Sequence, residues 1–453
     1  MPLSAGVCET NITPPPGGWL SGYAFRPAGA SGVHDELYAR AIVLDDGACR
    51  IVIVSFDLIC LDSDIVQELR SGIASSVGAA PEAILLSCSH THAGPSVRTF
   101  RAMGGRDPAY VDVMVRKAVG AAAQAAEALR PARISYGEAA AQIGVNRRAA
   151  RADGTIDIGV DYGGAVDPTV RTVCVDDPDG RTFAMLFSHA CHPTTMGGEN
   201  MLISADWPGA AVAHLKSRFR AGDEDSEVEP DALPIFLQGC CGNINPNPRH
   251  QDWRLVDTHG RTVADAALAA RRNAGLFSET ALAAAEETIA LPLLPPPSPA
   301  ECERLVVEWT ERLAQDRASG ADAGRIMHAE GMLEWALDAQ RLASEGPIDR
   351  TMDFTVQRLS LGGVQLLAFP GEMFVQYELD FARQSPSPVL SLGYCNGCLN
   401  YVPTAAEFAR GGYEVDGAHR YYGSLMFSPA CEALIRAASY RLLGVALPDM
   451  AAL

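Results

Sequence analysis

The sequence predicts an α/β fold in which mixed, mainly parallel sheets are flanked by helices. Three observations indicate this class. Short apolar, β-branched runs bounded by turn residues alternate with helix-like stretches along the chain. The chain has 453 residues, of which 48% are apolar and 20% charged, and this is enough to bury a large core. Polar residues follow several predicted strands directly, where ligands gather in open α/β sheets.

The predicted strands are the apolar runs, which in chain order are 41–44, 51–56, 83–86, 170–175, 183–187, 234–237, 364–369 and 389–392. The predicted helices between and after them are 63–76, 109–129, 207–219, 255–274 and 429–443. The last of these has a clear start signal, because Ser428 is a good N-cap and Pro429 suits the first helical position.

One segment interrupts this alternation. A proline-rich stretch at 293–299 opens it, and residues 300–344 then show helical periodicity that is broken near Ser319-Gly320. This pattern predicts a helical hairpin. We therefore expect one domain over residues 1–453 with a helical hairpin inserted at 296–346.

Composition excludes several classes of function. Acidic residues outnumber basic ones by 55 to 36, which gives a formal charge of −19 and disfavours binding to nucleic acid. The first residues lack a secretory signal, and no apolar run is long enough to span a membrane. Twelve scattered cysteines fit reduced thiols, so we expect a cytoplasmic protein with a small-molecule substrate. The sequence leaves its oligomeric state open, including a homo-oligomer.

The most informative segment is Ser89-His90-Thr91-His92-Ala93-Gly94-Pro95, which follows the predicted strand 83–86. Alternate residues at a strand end lie on one face, so His90 and His92 can point into one site. Imidazole binds metals and also titrates near neutrality, so one ring can bind a metal while the other transfers protons. An isolated pair of this kind would more simply be two hydrogen-bonded loop histidines.

Three further strand ends carry similar residues. His189 and His192 follow strand 183–187, a glycine- and asparagine-rich loop follows strand 234–237, and Glu372 follows strand 364–369, where it is expected to open a helix. Two histidines and a carboxylate form a common catalytic zinc set with one position open for water. Zinc acidifies that water and polarises a carbonyl, and no Gly-x-Ser-x-Gly nucleophile motif is present. The pattern thus predicts a zinc hydrolase.

These motifs resemble those of the neutral, non-lysosomal ceramidases, a family of zinc amidases that hydrolyse N-acylsphingosines. The resemblance runs from Gly6 to about Tyr413 in short segments. Those segments are Gly32-Val33-His34 with Arg40-Ala41, residues 89–95, Asn146-Arg147, residues 192–196, Pro370-Gly371-Glu372, Tyr401-Val402-Pro403-Thr404 and Tyr413-Glu414.

The resemblance implies roles for individual residues. Four of them would be zinc ligands, and the others would take part in catalysis, with His92 as the acid/base, Arg147 holding a substrate oxygen and Tyr413 steadying the oxyanion. The implied ligands are His90, His192, Glu372 and Tyr401. A tyrosine ligand would not be proposed from the residues alone, because a phenol has a pKa of about 10.

One position departs from the family pattern. Asn245, in Gly242-Asn243-Ile244-Asn245-Pro246-Asn247, stands where the family has its essential serine. With every implied metal ligand present, we expect metal-bound water to attack and Asn245 to donate a hydrogen bond. The family's secretion signal and C-terminal β-sandwich also have no counterpart here, so a soluble amide is the expected substrate in preference to ceramide.

Two alternatives remain at this stage. The same metal-bound water would cleave esters, so a zinc esterase or lactonase is one, and a catalytically silent metal-binding homologue is the other. Four residues near the motifs stay ambiguous: His189 as a partner of His192, His34 and Asp57 as site residues or turn and capping residues, and Asp206 as the N-cap of the helix at 207.

Overall fold

The computed structural model describes residues 2–222, 227–249 and 251–447. It confirms a mixed α/β fold with several sheets and helices. None of the described helices is long and apolar enough to cross a membrane.

The described α-helices are α1 (Ser63–Val77), α2 (Pro108–Glu127), α3 (Asp206–Ala221), α4 (Trp253–Arg272), α5 (Pro299–Ala318), α6 (Ala323–Ser344), α7 (Val375–Gln384), α8 (Ala405–Phe408) and α9 (Cys431–Leu443). Five of the described α-helices match the predicted ones within a few residues. Two more, α5 and α6, form the predicted hairpin, and α7 and α8 were not predicted. The predicted start of the last helix is wrong by two residues. Its N-cap is Ala430, and Ser428 Oγ instead accepts a hydrogen bond from the Ala430 N–H at 3.3 Å.

Every predicted strand is present, and the structure adds others with more polar sequences. The described strands are β1 (Ser4–Asn11), β2 (Gly32–Val33), β3 (Tyr38–Asp45), β4 (Arg50–Phe56), β5 (Ile84–Cys88), β6 (Arg130–Pro131), β7 (Arg133–Ala140), β8 (Gly144–Ala150), β9 (Ile156–Asp161), β10 (Thr169–Asp176), β11 (Thr182–His189), β12 (Leu202–Ile203), β13 (Val228–Gln238), β14 (Ile244–Pro246), β15 (Gly275–Leu276), β16 (Leu282–Pro292), β17 (Thr351–Leu361), β18 (Val364–Ala368), β19 (Glu372–Met373), β20 (Val389–Leu392) and β21 (Tyr401–Val402).

The expectation of mainly parallel sheets is wrong. Three larger sheets have the strand orders β5-β4-β3-β1-β6, β13-β11-β10-β7-β15 and β16-β17-β18-β20, and in each only one neighbouring pair is parallel. The parallel pairs are β4 with β5, β11 with β13, and β18 with β20. A continuous apolar run predicts that a strand is buried on both faces. An antiparallel strand between two layers is buried in the same way, so such a run does not specify whether neighbouring strands pair in parallel.

The first two sheets pack face to face between helices. Along β4, Ile51 and Ile53 face a core shared with the second sheet, whereas Val52 and Val54 face the helical side. Helices α1 and α2 cover the first sheet, and α3 and α4 cover the second. The order of layers is therefore helix, sheet, sheet, helix, which explains why the central strands are apolar on both faces.

The ends of strands from different sheets meet at one edge of this assembly. Isolated bridges join Ser87 at the end of β5 to Cys395, and Gly239 after β13 to Leu392 at the end of β20. The expectation that Glu372 opens a helix is wrong. Glu372 lies in the short strand β19, which pairs in parallel with β21, and α7 begins three residues later. The chemistry-bearing segments are therefore brought together.

Helices α5 and α6 form the expected hairpin, joined by a short connection at residues 319–322. A small apolar cluster that includes Leu305 and Trp335 holds them together. Trp335 also donates a hydrogen bond to the backbone carbonyl of Ser424 at 3.1 Å, which ties the hairpin to the domain. That the hairpin is an insertion with the bounds 296–346 stays a prediction.

Candidate metal centre

Three imidazole rings meet beyond the ends of β5 and β11. A ring nitrogen from each of His90, His92 and His192 lies within 4.8 Å of the other two. His90 Nε2 and His92 Nε2 are 3.2 Å apart. The predicted convergence of the two histidine motifs is confirmed, but strand alternation does not cause it. Strand β5 ends at Cys88, and His90 has a left-handed backbone (φ 67°) that turns its ring inward.

Glu372 completes the cluster from the opposite side. Its Oε2 atom lies 3.4 Å from His90 Nε2 and 3.3 Å from His192 Nε2. The three side chains are almost fully buried. Burial alone would raise the pKa of the Glu372 carboxyl, but the two neighbouring imidazoles hold it well below its usual range. Glu372 is therefore a carboxylate.

The hydrogen bonds of His90 and His192 leave acceptor atoms facing one another. His90 Nδ1 lies 2.9 Å from the carbonyl of Ile59, and His192 Nδ1 lies 2.5 Å from the carbonyl of Cys241, so both Nδ1 atoms carry the proton. Both Nε2 lone pairs then face the carboxylate oxygen of Glu372. These facing lone pairs repel one another unless a proton or a metal ion lies among them.

The spacing of these atoms suits a metal of the size of zinc. Zinc bonds of about 2.0–2.2 Å place two ligands of a tetrahedral site roughly 3.3 Å apart. The separations between Glu372 and the two imidazoles match this value. The backbone carbonyls that accept from both Nδ1 atoms fix the tautomer and ring orientation, as is usual for metal-binding histidines. The residues therefore fit a metal ion.

His92 differs from the other two histidines. Its Nδ1 atom is buried without a hydrogen-bond partner among the described residues, and its backbone carbonyl accepts from Arg26 Nη2 at 2.7 Å. Burial, together with the two neighbouring imidazoles, holds the pKa of His92 well below its usual value. Gly22 lies so close that a Cβ atom there would come within 2.4 Å of the ring. The ring is thus held by packing while one nitrogen stays unpaired.

Tyr401 and Arg147 lie on the remaining side. Tyr401 is the direct register partner of Glu372 in the parallel pair of β19 and β21, so both side chains project to the same face. Arg147 Nη2 donates to the Tyr401 hydroxyl at 2.9 Å, and Nη1 lies 3.5 Å from His192 Nε2. Burial raises the pKa of Tyr401 well above its usual value, although Arg147 opposes this. The phenol is at the site, and its role as a ligand stays a prediction.

A buried ion-pair network holds Arg147. Its Nε atom donates to Glu414 Oε1 at 2.8 Å, while the other oxygen of Glu414 accepts from Arg148 at 2.5 Å. Burial lowers the pKa of Arg147, but Tyr401 and Glu414 raise it well above its usual value, so the guanidinium stays charged. Its Nη1 atom also donates to Asn245 Oδ1 at 3.3 Å. Arg147 and Asn245 are thus neighbours.

A cavity of about 260 Å³ opens in front of these groups. It is lined by all four predicted catalytic residues and also by Tyr401. Tyr413 packs edge-on against Tyr401 with ring centroids 5.8 Å apart, and burial raises its pKa far above the usual value. The structure therefore brings the predicted catalytic and metal-binding residues into one site. The lining residues predicted as catalytic are His92, Arg147, Asn245 and Tyr413.

The ambiguous residues have structural contacts instead. His189 Nδ1 lies 3.3 Å from the carbonyl of Thr169, and backbone carbonyls orient His192 in its place. Asp206 is the first residue of α3, after the N-cap Ala205, and its carboxylate accepts from the backbone of Thr195 and Met196. The remaining two are held by neighbouring side chains. Asp57 pairs with Arg40 at 2.9 Å, and His34 stacks on Trp253 with centroids 3.6 Å apart.

Sequence reasoning missed three residues of the site. Tyr394 donates to Glu372 Oε2 at 3.2 Å, Tyr422 donates to Glu372 Oε1, and Glu414 fixes Arg147. Tyr394 follows strand β20 closely, so the strand-end rule could have indicated it. Glu414 is adjacent to Tyr413 in a motif already noted. Tyr422 carries no comparable local signal.

Comparisons with known proteins agree with this geometry. Residues 4–259 match the family model described as neutral/alkaline non-lysosomal ceramidase, N-terminal. The matched range contains the histidines, Arg147 and Asn245, whereas Glu372 and Tyr401 lie beyond it. Two curated relatives are a neutral ceramidase of Pseudomonas aeruginosa, 26% identical over 241 residues, and neutral ceramidase 2 of Arabidopsis thaliana, 32% identical over 235 residues.

The extent of these matches differs between sequence and structure. The sequence matches cover 50% and 49% of this chain, but the chain covers only 34% and 31% of the two relatives. The crystal structure of neutral ceramidase from Pseudomonas aeruginosa superposes with a TM-score of 0.70 at 19% identity, covering 100% of this chain and 77% of that one. This structural likeness establishes a shared fold that includes the regions around Glu372 and Tyr401.

Proposed function

The chain belongs to the neutral/alkaline non-lysosomal ceramidase family, and on that basis we propose that it is a zinc-dependent hydrolase of the amide bond of an N-acyl substrate. The observation that carries the proposal is the cluster of lone pairs. A buried carboxylate oxygen lies 3.3–3.4 Å from two imidazole Nε2 atoms, with a third imidazole beside them. A divalent cation makes this arrangement favourable.

The proposed ligands are those implied by the resemblance, and zinc supplies Lewis-acid polarisation and an acidified water when it is bound. His92 presents its Nε2 atom to the cluster, 3.2 Å from His90 Nε2, and its lowered pKa keeps the imidazole neutral and able to accept a proton near neutral pH. Arg147, charged and fixed by Glu414, is placed to hold a substrate oxygen. The ligands are His90, His192, Glu372 and Tyr401.

Asn245 and Tyr413 would act on the substrate carbonyl. Asn245 Oδ1 accepts from Arg147, which turns its Nδ2 donors away from that guanidinium. Tyr413 has a strongly raised pKa and therefore stays a neutral phenol that can donate a hydrogen bond. Neither group has to be a nucleophile, so asparagine at position 245 is compatible with attack by water.

The test removes and restores the metal. We would strip the protein with a chelator, add back zinc, manganese or cobalt singly, and measure hydrolysis of N-acetyl and N-octanoyl amides, the matching esters, and ceramide in detergent. Amide turnover restored by zinc and absent from Glu372→Gln would support the proposal. Ceramide is included among the substrates because the expected preference for a soluble amide stays a prediction.

A matched control separates the metal site from general effects of mutation. His189→Ala changes a histidine that is equally buried near the same strand end but whose ring hydrogen-bonds the carbonyl of Thr169, so we expect metal-dependent turnover to persist. Turnover of esters alone would favour an esterase or lactonase. Bound metal without any turnover would favour a silent homologue, and turnover that survives complete removal of metal would contradict the proposal.

A further inference from the structure

A second cavity adjoins the first, and we propose that it binds the part of the substrate remote from the scissile bond, an extended apolar substituent. It lies between the α5–α6 hairpin and the segment that carries Phe25, and we call it the hairpin groove. The proposal rests on the proposed function, because it assigns the groove to the same substrate. It concerns selection among substrates and adds no group to the chemistry.

The groove and the catalytic cavity share a wall. Phe25 lines both cavities, and 51% of its surface is exposed. His328 of α6 stacks on Phe25 with ring centroids 4.2 Å apart and hydrogen-bonds the Tyr421 hydroxyl at 3.2 Å. Tyr421 in turn lines the catalytic cavity. A substituent that leaves the catalytic cavity past Phe25 therefore enters the hairpin groove.

The sizes of the two cavities favour this exit for a larger substrate. The catalytic cavity, at about 260 Å³, has room for roughly nine groups of the ~30 Å³ that one water molecule occupies. That is enough for an amide with small substituents. The hairpin groove holds about 540 Å³, so most of the volume available to a long substituent lies there.

The lining of the groove favours an apolar substituent. Phe25, Val307 and Trp309 contribute apolar surface, and 56% of the surface of Val307 is exposed. The charged residues of the lining offset one another, with three arginines and three acidic residues. Within this set Asp316 pairs with both Arg312 and Arg325. The groove therefore has no net charge that would select an ionic group. Covering its exposed apolar surface with an apolar substituent is favourable.

The hairpin is fixed relative to the catalytic residues. A Cβ atom on Gly324, near the start of α6, would come within 2.2 Å of the carbonyl oxygen of Arg26, so only glycine allows this close approach. Arg26 is buried and donates to the carbonyl of His92 at 2.7 Å. The wall of the groove is thus tied through one residue to the proposed acid/base, and its position relative to the scissile bond is set.

The test compares two aspartate substitutions on the hairpin. Val307→Asp places a carboxylate in the groove, and Leu337→Asp places one at an exposed apolar position of α6 outside its lining. We would measure kcat/KM for N-acetyl and N-octanoyl amides of one amine, and for acetamides of a short and a long amine. Val307→Asp should lower the long-to-short ratio by roughly tenfold or more in one of the two series, and Leu337→Asp should leave both ratios unchanged.

A binding measurement keeps this proposal separable from the proposed function. Calorimetric titration with N-octylacetamide and N-methyloctanamide needs no turnover, and Val307→Asp should weaken one of them by a similar factor. Loss of turnover in the wild type with this pattern of binding would overturn only the proposed function. Long-to-short ratios and binding that are the same in Val307→Asp and wild type, or changed equally by Leu337→Asp, would overturn the groove.

Discussion

Two glutamates in this protein each bridge two arginines, one inside the candidate site and one on the hairpin. Glu414 joins Arg147 and Arg148, and all three side chains are at most 5% exposed. Glu345, just after α6, joins Arg341 and Arg350 at 2.9 and 2.8 Å, but its side chain is 39% exposed. The hydrogen-bonding pattern is the same, and burial is what differs.

The difference in burial determines how strongly each bridge fixes the residues around it. Water competes for the exposed charges of the hairpin, so its ion pairs add little and its position depends on apolar contacts and on the close approach at Gly324. Around Glu414 the side chains are buried, so each charge depends on its partner and the geometry of Arg147 follows from Glu414. The buried bridge thus fixes Arg147 in the candidate site, whereas the exposed bridge adds little to the position of the hairpin.

The largest effect should follow from Glu414→Gln. It would leave two buried guanidinium groups without their carboxylate, and breaking a buried pair in this way costs about 3–5 kcal/mol. Urea unfolding should show this loss of free energy of unfolding, together with a loss of hydrolysis. A loss below about 1 kcal/mol would mean that the buried bridge is no stronger than an exposed one.

Gly22→Ala should displace His92, because the added Cβ atom would meet the ring at 2.4 Å. We expect turnover to fall by roughly 10²-fold or more, the effect typical of a misplaced catalytic group, while bound metal is retained. Gly17→Ala is the matched control, since Gly17 also has a positive φ but has no atom within 4 Å of the added group. Loss of metal in Gly22→Ala would instead make His92 a ligand.

Tyr422→Phe removes a hydrogen bond to Glu372 without changing the ligand itself. Groups that orient a metal ligand typically contribute 10–100-fold in affinity, so competition with a chelating dye should show a loss of about that size. Tyr421→Phe changes the neighbouring hydroxyl, which bonds His328 and not Glu372, and should leave the affinity unchanged. Equal affinities in the two variants would show that Tyr422 does not support the site.

The smallest effect is expected for Glu345→Gln. Exposed ion pairs contribute about 0.2–1 kcal/mol, so the free energy of unfolding should fall by no more than this, and less still at high salt. The same urea measurement used for Glu414→Gln checks it. Equal losses in the two variants would remove the contrast between the site and the hairpin.

Much of the fold follows from local sequence signals. The apolar runs predict central strands such as β4 and β11, because these are buried on both faces. Strand β16 was missed because its Ala- and Glu-rich sequence carries no strand signal, and it is stabilised by eleven register pairs with β17, which lies about sixty residues further along. Pairing direction was also wrong, since it depends on which strand is adjacent in space.

In the site too, features set by local sequence were predictable and features set by distant contacts were not. Strand-end histidines and the Pro-Gly-Glu turn were visible in the sequence, and the structure brings them together as expected. The contacts that support them were not predictable, because Tyr422 reaches Glu372 across fifty positions of sequence. The left-handed backbone of His90 was equally hidden, since only a small minority of non-glycine residues adopt it.

The metal content of the purified protein distinguishes a metal centre from a buried cluster without metal. Elemental analysis of the purified wild-type protein, beside His90→Ala and Glu372→Gln, should give about one zinc per chain in the wild type and far less in both variants. His189→Ala, which changes a buried histidine outside the cluster, should keep the wild-type value. A wild-type protein that binds no divalent metal after incubation with zinc would contradict the account, because the facing lone pairs of His90, His192 and Glu372 would then need another explanation.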